Sequence, residues 1–98
     1  MPFAIRTTDK RGMDELRNKL QAAHLEYLDS QIGILLAAGS LRSDDNARAT
    51  GGILIVDVED RAAAERFIDN DPFAKGGLFA EIKVDRWRKA YFDKKRLI

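Results

Sequence analysis

Cysteine is absent from this 98-residue chain, which excludes a disulfide framework, a thiol nucleophile and zinc sites built on thiolates. Net charge is nearly absent as well, with 17 Lys and Arg against 16 Asp and Glu for a balance of +1. No overall field would draw the protein onto nucleic acid or an anionic membrane surface, so bulk charge does not choose its partner. No apolar run approaches the roughly 20 residues that span a bilayer, and Met1-Pro2-Phe3-Ala4 lacks the charged-then-apolar pattern of a signal peptide. A soluble, cytoplasmic protein is the expectation. Histidine occurs once, at His24, and one imidazole among scattered acids has no ligand spacing for a metal. The glycine pairs Gly51-Gly52 and Gly76-Gly77 lie outside the strand-to-helix turns that cradle phosphates. They read as backbone bends, and no cofactor is expected.

What is present is ordinary globular material, 45% hydrophobic and 34% charged, of a length that suits one domain over residues 1–98. Phe3 to Thr7 reads as a short strand, and Asp9 to Gly12 as a turn. Met13, Leu16, Leu20, Ala23, Tyr27 and Gln31 then recur at helical spacing, with Asp14, Glu15, Lys19, Glu26 and Asp29 mostly outward. Gly33 ends this helix. Ile34 to Gly39 is a second strand, Arg42 to Asn46 a polar connecting loop, and Gly52 to Val58 a third strand. Asp60 is placed to cap a helix carrying Ala63, Ala64, Phe67 and Ile68. After Pro72 and Gly76-Gly77, Leu78, Ala80, Ile82 and Val84 alternate with Phe79, Glu81, Lys83 and Asp85 in a final strand.

The order β-α-β-β-α-β is that of the ferredoxin-like split βαβ, an α+β fold with an antiparallel sheet and both helices on one face. Ile34 to Ala38 and Ile53 to Val56 offer apolar groups to both faces of the pleat, too many for a side open to water. Burial of the second face against a copy of itself predicts a homodimer joined sheet to sheet. The segment Trp87 to Phe92 has no place in the simple fold and is a candidate to cross to that partner. The tail Arg86 to Arg96 is basic with Trp87, Tyr91 and Phe92 interleaved, a pattern that can serve nucleic acid, but Glu81, Asp85 and Asp93 nearby favour a solvated or dimer-edge role.

His24 falls on the inward face of the first helix, where a core position would normally be apolar. Its ordinary pKa near roughly 6.5 suits proton transfer near neutrality, and Asp71, opening Asp71-Pro72-Phe73, is a candidate carboxylate partner. Each has a plainer use: an interior histidine satisfied by backbone, and an Asp favoured before proline as a turn cap. Asp69 competes with Asp71 but lies inside the last helical turn. Arg17, about 10 Å up the same helical face from His24, could anchor an anionic substrate or pair with a nearby acid. Ser40 has no Gly-x-Ser-x-Gly turn around it and is at most a hydrogen-bonding group for a ligand. Phe73 is a packing residue first and a candidate contact for a substrate second.

The run Arg17, His24-Leu25, Leu28, then Ala38-Gly39, then Phe67, Asp71-Pro72-Phe73 and Gly76-Gly77 resembles the YciI-related proteins over nearly the whole chain. The resemblance implies a dimeric α/β barrel of ferredoxin-like subunits, with His24 and Asp71 as a His-Asp pair lining a pocket. It further implies acid-base work on small organic molecules, including elimination from chlorinated aromatics. Two positions depart from the family's pattern: Gln21, where relatives often carry a basic residue, and Ser40, where many have proline. The expectation is therefore an enzyme moving a proton with His24 and Asp71, as a lyase, isomerase or hydrolase of unnamed substrate. The alternative is a non-catalytic ligand-binding or interaction module on the same scaffold, since one fold hosts many functions.

Overall fold

Phe3, Ile5 and Thr7 are buried while the alternate residues Arg6 and Thr8 are exposed and Ala4 is half-buried, the period of two expected of a strand with one covered face. The computed structural model describes residues 1–98 and places that strand, β1 (Phe3–Asp9), at the centre of a four-stranded antiparallel sheet. After β1 come α1 (Asp14–Ser30), a single 3-10 turn at Ile32–Ile34, β2 (Leu35–Arg42) and β3 (Ala49–Val56). Then follow α2 (Arg61–Asp69), a one-turn helix α3 (Pro72–Lys75) and β4 (Phe79–Arg86). The strand order β2-β3-β1-β4 is the ferredoxin-like arrangement. No helix is long and apolar enough to cross a membrane.

Register fixes which residues share the covered face. Phe3, Ile5 and Thr7 stand opposite Val56, Leu54 and Gly52 on one side and opposite Arg86, Val84 and Ile82 on the other. Phe3, Ile5, Leu54 and Val56 form one cluster with Leu28 of α1 and with Ala64, Phe67 and Ile68 of α2. The opposite face carries Ala4, Arg6 and Thr8 in line with Ile55, Ile53 and Gly51 of β3, and no helix covers it. Gly51 is obligatory at this position, because a Cβ would collide with the Thr7 carbonyl of β1.

Several sequence expectations shift in detail. Ala23 is exposed, and the inward face of α1 runs instead through Leu16, Arg17, Leu20, His24, Tyr27 and Leu28. In β4 the pairing steps from Thr8↔Glu81 to Asp9↔Phe79, a bulge that resets the alternation. Phe79 thereby packs against the core cluster rather than facing out with Glu81. Asp60 caps α2 as its position suggests, accepting from the Ala63 N–H at 2.8 Å. The tail after β4 folds on itself as a hairpin, β5 (Tyr91–Phe92) against β6 (Lys95–Arg96). Asp93 and Lys94 both take positive φ in its turn, and Trp87 meets Phe92 edge-on at 6.3 Å.

Candidate active site

Helical spacing brings Arg17, Leu20, His24 and Leu28 to one side of α1, facing the sheet and α3. The chain reaches α3 through Asp71, whose extended backbone (φ −65°, ψ 131°) is the conformation a following proline imposes. Pro72 then sits at the first helical position, where its missing N–H is not needed. One oxygen of Asp71 accepts from the Phe73 N–H at 2.9 Å, capping the short helix. The carboxylate is fully buried, and both its oxygens lie 2.9 Å from Nδ1 of His24. Asp71 is therefore a turn cap and the imidazole's partner at once.

The ring is fixed in plane as well as in direction. Phe73 stacks on His24 with centroids 4.0 Å apart and planes 13° from parallel, and Phe79 meets Phe73 edge-on at 6.1 Å. With Asp71 ionised, the Nδ1–H donates to the carboxylate and the Nε2 lone pair is left unused by the protein. Tyr27, one turn on, donates its hydroxyl to the Phe67 carbonyl at 2.7 Å and ties α1 to α2. Burial, and secondarily the Asp71 charge, push its pKa above the usual value of 10.0, so the phenol keeps its proton.

His24 and Asp71 border a cavity of about 550 Å³ between α1 and the β2–β3 side of the sheet, within the range typical of small-molecule sites. Its floor is Thr7, Gly52 and Leu54, with the backbone carbonyl of Gly51 at its edge. A Cβ on Gly52 would stand 3.1 Å from the Gly39 carbonyl and 3.5 Å from the Thr7 hydroxyl, so glycine keeps this floor deep. Ala38, Ser40, Arg42 and Arg48 form the wall and rim on the strand side.

Arg17 also borders the cavity, but its guanidinium is occupied: Nε donates to Asp9 at 2.8 Å and Nη2 to the Gly51 carbonyl at 3.2 Å. The same group lies 4.7 Å from the Phe73 ring centroid, so it also steadies the surface on which the imidazole rests. Ser40 lines the wall and accepts from Arg42 at 3.3 Å. Asp69 is exposed at the end of α2 and takes no part in the cavity. Among the bordering residues that sequence reasoning does not pick out are Asp14 and Arg48, Thr7, which reads as a plain strand residue, and Arg42, which reads as loop. Arg42 in fact closes β2, two residues after Ser40, and period-two spacing with Ala38 and Ser40 is the signal that marks it.

Comparison with known proteins gives the family and the fold. The YCII-related domain matches residues 1–88. The protein YciI of Escherichia coli O6:H1 (strain CFT073) is 30% identical over 98 residues, covering 93% of this chain and all of that protein. YciI of Shigella flexneri matches equally. The solved 5-chloro-2-hydroxyhydroquinone dehydrochlorinase (TftG) from Burkholderia phenoliruptrix AC1100, in complex with 2,5-dihydroxybenzoquinone, is 35% identical. It superposes with a TM-score of 0.83 over 90% of this chain and 94% of that one. SnoaB, a cofactor-independent oxygenase from Streptomyces nogalater, shares the fold alone, at 19% identity and a TM-score of 0.53 over 90% and 92% of the two chains. Sequence order, sheet topology and these matches agree that the chain belongs to the YCII-related domain family.

Proposed function

We propose that this protein is a small-molecule enzyme in which His24 is the general base and Asp71 its orienting and charge-stabilising partner. The observation that carries the reading is the imidazole held at 2.9 Å from both Asp71 oxygens on the border of an open cavity. The similarity to a dehydrochlorinase solved with a dihydroxybenzoquinone adds the substrate class, small hydroxylated rings. Neutral Nε2 takes a proton from a carbon or oxygen acid of the substrate, and the electron pair so released moves into the ring. In an elimination, a leaving group departs from the neighbouring carbon with its bonding pair. The imidazolium formed is stabilised by Asp71 and returns its proton to solvent or product. Phe73 holds the ring plane, and Arg17 and Ser40 border the bound molecule.

The same reading includes a homodimer of single-domain subunits, each spanning residues 1–98. Its support is the bare sheet face, where Ile53 is 40% exposed beside Ile55 and Ala4. A second copy laid on that face would bury it.

The test is turnover of chlorinated hydroquinones, followed by chloride release, together with proton-deuterium exchange on 2,5-dihydroxybenzoquinone. Gln at position 24 can still donate to Asp71 but offers no basic nitrogen. His24→Gln and Asp71→Asn should each slow these reactions by about 10²–10⁴-fold with the circular dichroism spectrum unchanged. Full activity in either variant contradicts the proposal.

A further inference from the structure

The cavity is bordered by three arginines, and their partners differ. Arg17 is paired with Asp9 at 2.8 Å, and Arg48 with both oxygens of Asp14 at 3.1 and 3.2 Å. Arg42 has no carboxylate partner. Its Nε and Nη2 donate to the Asn46 carbonyl at 3.3 and 3.1 Å, and Nη1 donates to the Ser40 hydroxyl at 3.3 Å. These contacts fix the guanidinium with neutral acceptors and leave two of its five N–H donors unused.

The acids nearby do not neutralise it. Asp45, three residues away in the same hairpin, turns into the loop to accept from the Ser43 hydroxyl at 2.7 Å and the Ala47 N–H at 3.0 Å. Of the two acids bordering the cavity, Asp71 is sealed behind His24 and Asp14 is engaged by Arg48. The uncompensated charge that a bound molecule meets is the cation of Arg42.

We propose that the cavity takes a carboxylate-bearing small molecule, its acid group held by Arg42 and its reacting atom presented to His24. This rests on the reading of the cavity as the active site and adds the chemical class of the substrate. A carboxylate is a planar, two-oxygen anion that matches the fork of a guanidinium with free donors. The Arg48–Asp14 contact sets this rim beside the first turn of α1, ten residues and about 15 Å of helix from His24. Ser40 becomes a positioning residue, acting on the substrate through Arg42.

The experiment titrates the full-length protein with 2,5-dihydroxybenzoate and with hydroquinone, which share a ring and two hydroxyls and differ in the carboxylate, reading binding by amide NMR shifts. The wild type should bind the acid about tenfold more tightly or better, as expected for one charge-assisted anchor. Arg42→Gln should erase the preference, Arg42→Lys should keep part of it, and Ser40→Ala should weaken it. His24→Gln should retain it, because the anchor does not use the imidazole. Equal binding of the two rings, a preference that survives Arg42→Gln, or no binding of either ring overturns the proposal. A preference that obeys Arg42 alongside turnover that survives His24→Gln would instead contradict the proton-transfer reading alone.

Discussion

The two long helices lie on the same side of one sheet and do opposite things with it. α2 has 9 residues and buries Ala64, Phe67 and Ile68 over β1 and β4 behind a side-chain cap from Asp60. α1 has 17 residues and buries only Leu28. The positions along α1 that should seal it to the sheet hold Arg17, His24 and Tyr27, polar groups that need partners, and the sheet beneath offers glycine. Packing therefore stops where the polar face begins, and the cavity occupies the gap. Close-packed helix and sheet supply stability on one side, and incomplete packing leaves the cavity on the other.

Substitutions on the two sides should separate these roles. Phe67→Ala, 4% exposed in the α2 core, should lose about 3–5 kcal/mol by urea unfolding. Urea unfolding of His24→Gln should show a loss of only about 1 kcal/mol, the scale of one exchanged hydrogen bond. Comparable losses would erase the distinction. Tyr27→Phe sharpens it, because the hydroxyl is the tie between the helices. It should cost about 1–2 kcal/mol by leaving the Phe67 carbonyl unpaired. The raised pKa of Tyr27 gives this tie a pH signature. Its stabilisation is fully present below the unfolded value near about 10 and is lost as pH rises through the higher folded value. A stability curve for Tyr27→Phe that falls above pH 10 as steeply as the wild type would contradict the assignment.

The same division explains what was legible in the sequence. Elements on the α2 side follow from local signals: Asp60 before the helix, apolar alternation in β1, and proline after Asp71. His24 and Asp71 stand out as residues, one as an imidazole on an apolar face and one before a proline. Their contact is not legible, because it depends on how the kink at Asp71-Pro72 turns α3 toward α1. Alternation alone puts Phe79 on the wrong face, since a bulge is a pairing event with no local signature. Arg42 was hidden by its polar neighbours: four loop-like residues follow it and mask the end of β2. Ala23 looks inward by composition, yet the helix turns the larger His24 and Leu20 to the sheet and leaves the methyl in solvent.

Because the chain has one histidine, its imidazole nitrogens can be observed without assignment. A nitrogen-15 NMR titration of the uniformly labelled protein should show, above the imidazole's titration, a proton on Nδ1 and a bare Nε2. Asp71→Asn should scramble that single tautomer. A proton found on Nε2 in the wild type would leave no basic nitrogen facing the cavity and would contradict the account.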